Sequence, residues 1–370
     1  MRVGIDAHCI GLGKTGNETY TYNLVKQLAL LEPDGTDYVV YVTSKASRNG
    51  GNFAGPQSRT KLIPETPFLR IPFAFALESR ADKLDVLHAQ YLLPHHLRCR
   101  TVLTVHDVLY ERYPEFFTKM DLLRNKLGVP WSCRRANHII TVSESSKRDL
   151  VEFYQLDPDR ITVTYHGPDD CYSPLDPEQA RERLRTKYGL EGEFILYVGA
   201  IQPRKNVPRL LAAFAKLKRE RRTPHKLVIV GPKTWLATEA FRAIENHPAK
   251  DDVVVTGYVP QEDLPFFYNA ATAFVYVSIS EGFGLPVLEA FACGTPTITS
   301  RGSALEEIAG GAAVLVDPLD VSAIASAIED VLSNSDLRVR LRALGLERST
   351  HFSYHEMAVR TQAVYRQVMS

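Results

Sequence analysis

The chain has 370 residues, which is long for one domain and comfortable for two. Its 45% hydrophobic and 24% charged content is that of a soluble globular protein, and a net charge of +1 gives no global signal for nucleic acid. The five cysteines (Cys9, Cys99, Cys133, Cys171 and Cys293) are scattered without a C-x-x-C pair, which argues against a disulfide framework or a zinc site and fits a reducing cytoplasm.

The chain opens Met1-Arg2-Val3-Gly4-Ile5-Asp6, which reads as a strand start rather than a signal peptide. No apolar run approaches the ~20 residues that span a bilayer. Short apolar runs then alternate with helical patterns. The first series is Val3–Ala7, Tyr38–Thr43, Val86–His88, Thr101–Val105 and Ile139–Val142. The second is Phe194–Gly199, Leu227–Gly231, Val253–Thr256, Ala273–Val277, Thr297–Thr299 and Val314–Val316. Continuous β-branched runs suit parallel strands covered on both faces. Thr19–Leu31, Val207–Lys218 and Val321–Leu332 read as crossover helices. Two such series predict an α/β chain of two doubly wound, Rossmann-like domains. Gly167-Pro168-Asp169-Asp170-Cys171-Tyr172-Ser173-Pro174 reads as the linker. The expected domains are 1–172 and 173–351, with 352–370 as a last amphipathic helix.

Four stretches carry candidate chemistry. Gly11-Leu12-Gly13-Lys14-Thr15-Gly16-Asn17-Glu18-Thr19 lies between the first strand and the first helix. It lacks the spacing of a Walker loop or a dinucleotide fingerprint, so a ligand loop and a plain βα turn fit equally. Thr104-Val105-His106-Asp107 places His106 at the carboxyl end of a strand, where open α/β sheets bind ligands. A structural histidine is the competing reading. Gly199-Ala200-Ile201-Gln202-Pro203-Arg204-Lys205-Asn206 sets two cations in a loop after a strand. A guanidinium fork beside an ammonium suits a diphosphate, and a solvated loop pair is the alternative.

The fourth stretch is the most informative. Ser280-Glu281-Gly282-Phe283-Gly284-Leu285-Pro286-Val287-Leu288-Glu289 follows a strand and starts a helix. That geometry aims backbone N–H groups and a positive dipole end at an anion, and the glycines allow close approach. Glu281 falls in the turn and Glu289 on the helix, which suits a ligand bearing both phosphate and hydroxyl groups, such as a nucleotide-sugar. No Asp-x-Asp ends a strand in the manner of a metal-bound diphosphate site, so no metal is expected. Arg112 to Arg135 interleaves cations with aromatic and aliphatic residues. It reads as an amphipathic helix packed inward, or as a peripheral contact with anionic lipid.

Together these stretches resemble the retaining glycosyltransferases of family 4, with the two-domain GT-B fold, over nearly the whole chain. Glu281 and Glu289, seven residues between them, match the family's glutamate pair. Arg204-Lys205-Asn206 matches its basic donor-phosphate motif, and Thr104-Val105-His106-Asp107 its histidine segment. Gly16 stands in its glycine loop, and Phe352-Ser353-Tyr354 resembles the terminal segment that packs back on the N-terminal domain. Ala200 stands where many members carry Arg, which leaves more to Arg204 and Lys205. The Gly11 to Gly16 loop is also looser than the family's Gly-Gly-x-Gly.

The resemblance implies two domains facing across a cleft, and transfer of a hexose from a nucleotide-diphosphate sugar to a glycan or glycolipid, with retention and without a metal or other cofactor. Arg204, Lys205 and the turn Gly282, Phe283, Gly284, Leu285 would meet the phosphates, and Gly16 would lie nearby. Glu289 would accept from the ribose hydroxyls, Glu281 from the sugar, and His106 would hold a sugar hydroxyl. The basic motif resembles that of bacterial mannosyltransferases of surface polysaccharides, so GDP-mannose is the first expectation and a UDP-sugar the second. The expected location is cytoplasmic, at the inner face of the membrane where the lipid contact applies. Competing readings are a nucleotide-sugar epimerase, a glycogen-type phosphorylase, a non-catalytic sugar-nucleotide-binding protein and a nicotinamide dehydrogenase. The missing dinucleotide fingerprint disfavours the last.

Overall fold

A computed structural model describes residues 1–370 other than 12, 14, 49–52, 54, 56, 222 and 233–237. Leu12 and Lys14 of the first glycine-rich loop therefore lie outside the described residues. The chain divides into two compact units: Met1–His166 with Ser353–Ser370, and Gly167–Phe352.

Among the described residues the first unit holds seven strands: β1 (Arg2–Asp6), β2 (Asp37–Val42), β3 (Ser58–Leu62), β4 (Val86–Gln90), β5 (Arg100–Thr104), β6 (His138–Thr141) and β7 (Ile161–Val163). They form one sheet in the order β3-β2-β1-β4-β5-β6-β7, and every pairing is parallel. Helices cover it, so Val39, Val40, Leu87, Val102 and Ile140 are essentially excluded from solvent. β3 and β7 were not expected. β3 is a half-exposed polar edge strand, Ser-Arg-Thr-Lys-Leu, and β7 is only three residues long, so neither shows a buried β-branched run.

The C-terminal helix Tyr354–Gln367 packs on the helix Thr15–Leu28 within this unit. Polar ties fix it there. The Tyr365 hydroxyl lies 2.6 Å from His88 Nδ1, Gln362 Nε2 donates to the Tyr38 hydroxyl at 3.3 Å, and Arg366 pairs with Asp34 at 2.6 Å.

The second unit holds β8 (Phe194–Val198), β9 (Lys226–Val230), β10 (Val253–Gly257), β11 (Ala273–Tyr276), β12 (Thr297–Ser300) and β13 (Val314–Val316). Their order is β10-β9-β8-β11-β12-β13, again wholly parallel. The division between units falls at His166/Gly167 rather than near residue 172. The reason is packing: the Tyr172 ring lies edge-on to Tyr268 at 5.8 Å, and Asn269 accepts from Leu175 N and donates to Ser173 O. The proline-rich stretch is therefore docked on the second unit rather than loose. Phe352 likewise stays with the second unit, where Arg348 lies over its ring at 4.8 Å.

The basic and aromatic stretch folds as the helix Lys119–Arg135, capped by Thr118 Oγ1 accepting from Asp121 N at 3.1 Å. Val129 and Cys133 are buried, and Leu122 and Trp131 pack against the same core. Met120, Leu123 and Leu127 point the other way and are 82, 64 and 67% exposed. Among the described residues no helix is long and apolar enough to cross a membrane, and no group of three or more His, Cys, Asp or Glu residues is placed to hold a metal ion.

Candidate active site

In each sheet the strand order reverses once, and ligands of open α/β sheets bind outside the carboxyl ends at that point. In the second unit the reversal lies between β8 and β11. The loop after β8 carries Arg204 and Lys205, and the loop after β11 carries Glu281. Adjacency of these two strands brings together residues 77 apart in sequence.

The two loops are stitched to one another. Ile279 N donates to Arg204 O at 2.8 Å, and Asn206 Nδ2 donates to Val277 O at 2.9 Å and Pro318 O at 2.6 Å. Asn206 takes a left-handed conformation, φ +61°, at the end of the short turn Pro203–Lys205. Close backbone approach is also built in. A Cβ on Gly231, after β9, would stand 2.0 Å from Gly199 O, so only glycine fits there.

The result is a compact ionic cluster. Arg204 NH1 contacts Glu281 Oε2, and Lys205 Nζ lies 2.6 Å from Glu281 Oε1. Tyr276, fully buried at the end of β11, donates its hydroxyl to Glu281 Oε1 at 3.1 Å and accepts from Lys205 Nζ. The ammonium also lies 4.9 Å from the Tyr276 ring centre. Glu281 and Lys205 are 7 and 11% exposed. Burial works against the ionised carboxylate, but Arg204 and Lys205 outweigh it and hold Glu281 down at about 2. Sequence reading assigned Glu281 to sugar hydroxyls; here both of its oxygens are engaged by the cations expected to meet phosphate. Tyr276 was missed because it sits inside a buried apolar strand.

The turn beyond Glu281 forms as expected. Gly284, at φ +112°, precedes the helix Leu285–Ala292, with Pro286 in its first turn. Gly282 and Phe283 are buried, and the Phe283 ring meets Phe352 edge-on at 6.2 Å. Leu285 is half-buried at the helix N-terminus. Glu289 lies one turn further along the helix in a different environment. Its Oε2 accepts from the Tyr268 hydroxyl at 2.6 Å, and Tyr172 also bonds to it. Burial pushes its carboxyl up to about 7 against those two hydrogen bonds. The glutamates are therefore separate groups with separate partners, unlike a glycosidase pair acting as acid and base.

In the first unit the order reverses between β1 and β4. His106 follows β5 and is buried, its Nε2 3.1 Å from Gln90 Oε1 at the end of β4. Tyr20 stands edge-on to it at 4.8 Å and His166 stacks at 6.0 Å. Tyr91, held at φ +57°, lies 5.7 Å away. Burial lowers His106 to about 3, so it is neutral at physiological pH. The first glycine-rich loop is braced by Glu18 Oε1, which accepts from Gly11 N at 2.6 Å. Gly16 lies in the first turn of the helix Thr15–Leu28, which starts earlier than expected, and it is exposed.

Comparison with known proteins matches both units. Residues 15–170 match the model of Glycosyltransferase Family 4, and residues 180–348 match that of Glycosyl transferases group 1. The O-antigen chain mannosyltransferase B of Escherichia coli is 32% identical over 368 residues, covering 95% of this chain and 96% of the relative. Sucrose-phosphate synthase from Thermosynechococcus elongatus superposes with a TM-score of 0.80 at 21% identity, over 100% of this chain and 99% of that one. HepE from Anabaena, in complex with UDP and glucose, superposes with a TM-score of 0.78 at 18% identity, over 99 and 100% of the two chains. The two parallel-sheet units thus have the fold of the GT-B glycosyltransferases, and the chain belongs to glycosyltransferase family 4, the glycosyl transferases group 1.

Proposed function

We propose that this glycosyltransferase moves mannose from GDP-mannose to a glycan or glycolipid acceptor in surface-polysaccharide assembly, with retention at the anomeric carbon and without a metal ion. The mannose reading is supported by near full-length similarity to an O-antigen chain mannosyltransferase. The chemistry rests on one observation above all: Arg204 and Lys205 converge with Glu281 at the sheet's reversal point.

In the reaction the bond from the sugar C1 to the diphosphate oxygen breaks, and a bond from C1 to the acceptor oxygen forms. A phosphate oxygen of the leaving GDP takes the acceptor proton on the same face. Negative charge grows on the diphosphate, and preorganised cations act most strongly where charge develops. Arg204, Lys205 and the N-terminus of the helix Leu285–Ala292 supply that compensation. Glu289 accepts from the ribose hydroxyls, and Glu281 orients the sugar while fixing both cations. His106 bonds a sugar hydroxyl. The front-face route is supported by the state of both carboxylates. Glu281 is held by two cations and Glu289 by two tyrosines, so neither stands as an unengaged nucleophile.

The test is a thermal-shift screen of nucleoside diphosphates followed by an assay of diphosphate release. GDP is expected to stabilise the protein more than UDP, and free GDP to appear from GDP-mannose only when an acceptor is added. A clear preference for UDP would replace the mannose donor with a UDP-sugar.

The proposal includes peripheral contact with an anionic membrane on the cytoplasmic side. Met120, Leu123 and Leu127 stand exposed at spacings of three and four, beside Lys119, Arg124 and Lys126. Vesicles containing phosphatidylglycerol should sediment the protein, and phosphatidylcholine vesicles should not. Leu123→Ser combined with Leu127→Ser should weaken sedimentation roughly tenfold. Equal sedimentation with both vesicle types, or none, would remove the membrane from the proposal.

A further inference from the structure

The polar chain behind His106 has a direction that follows from its protons. Thr21 Oγ1 donates to Asn17 O at 2.7 Å, which uses the only proton of that hydroxyl. Gln90 Nε2 lies 2.6 Å from the same Oγ1, so Thr21 accepts there and the Gln90 amide nitrogen donates. The second amide proton faces Cys9 Sγ at 3.6 Å. The Gln90 carbonyl oxygen is thereby turned to the other side, 3.1 Å from His106 Nε2. A carbonyl only accepts, so Nε2 must carry hydrogen. With the Thr21 proton on Asn17 O, the reversed amide would set two acceptors 2.6 Å apart at Thr21.

We infer that Gln90 is a positioning residue: it locks His106 in the tautomer protonated at Nε2 and leaves Nδ1 as a hydrogen-bond acceptor for a substrate hydroxyl. Among the described residues Nδ1 makes no hydrogen bond, whereas Nε2 is committed. The assignment of Nδ1 to a sugar hydroxyl rests on the proposed transfer; the tautomer itself does not. Around the ring stand the ionisable side chains of Tyr20, Tyr91 and His166, with His88 near enough to feel its charge. None of them is a carboxylate that would favour the imidazolium. His106 accordingly works as an oriented neutral acceptor and not as a general base.

Histidine nitrogen-15 labelling of the full chain tests this. Long-range proton–nitrogen correlations read the tautomer without any substrate, and a His106→Gln variant assigns the resonance. The expected spectrum shows His106 protonated at Nε2 and bare at Nδ1. A ring protonated at Nδ1 overturns the inference, whether or not transfer activity is found. Two variants extend the test to function. Gln90→Glu keeps an acceptor at Nε2 but stabilises the imidazolium, so the ring takes up its proton at higher pH than in wild type and Nδ1 then loses its lone pair. Its kcat/KM relative to wild type should fall progressively as pH drops. Gln90→Leu should mix the tautomers and lower kcat roughly tenfold at every pH. A loss in Gln90→Glu that is equal at all pH values marks Gln90 as merely structural and contradicts the assignment.

Discussion

Glu281→Gln is expected to lose transfer by roughly a hundredfold or more while binding GDP at least as tightly as wild type. The carboxylate holds Arg204 with one oxygen and Lys205 with the other, so an incoming diphosphate must share those cations with it. Glutamine keeps the shape and gives up the charge. Two partly buried cations then lack their counter-ion, at a cost of about 2 kcal/mol. The melting temperature should fall by roughly 4–8 °C. GDP replaces the missing negative charge, so it should restore more stability in the variant than it adds to wild type. Transfer still fails because the sugar is no longer oriented. Weakening of GDP binding by more than about tenfold would show that Glu281 supports the diphosphate site rather than competing within it. The acid dependence has a definite sign. Glu281 is depressed to about 2, so its contribution is present above its unfolded value of 4.5 and is lost as pH falls from there toward 2. Glu281→Gln should flatten that acid limb.

Lys205→Ala is expected to have an effect of similar size through the opposite group. It removes the ammonium that lies against Glu281 and Tyr276. Glu281 keeps Arg204 and the Tyr276 hydroxyl, so the fold should tolerate the change. Transfer should drop ~10²–10³-fold, as when one preorganised donor to developing charge is removed. GDP affinity should weaken roughly 10–100-fold, in line with one charge-assisted hydrogen bond. Full activity in a purified, folded Lys205→Ala protein sinks the diphosphate assignment. Comparison of the two variants is informative because one should spare GDP binding and the other should not.

The parts of the site that were legible in the sequence share a physical signature. The turn at Glu281 shows itself through Gly282 and Gly284, and Gly284 does adopt a positive φ before the helix. The central strands β8, β9 and β11 appear as apolar runs because both faces are covered. The engagement of Glu281 by both cations was not legible. It depends on β8 lying beside β11, and strand order is a property of the whole sheet rather than of any one segment. Tyr276 and Gln90 escaped notice for a related reason. Each is a polar group at the end of a buried strand, and its role depends on a partner, Lys205 or His106, supplied by another loop. Cys171 and Tyr172 looked like linker residues, yet Tyr172 bonds to Glu289. Proline and glycine density reports local backbone preference and says nothing of docking.

The most direct measurement is calorimetric titration of GDP into the wild-type chain and into Lys205→Ala, both in EDTA. A metal-free diphosphate site built on the basic pair predicts that GDP binds the wild-type protein under chelation and that the variant loses at least about tenfold in affinity. Binding that appears only when magnesium or manganese is added, or that is the same in both proteins, would contradict it.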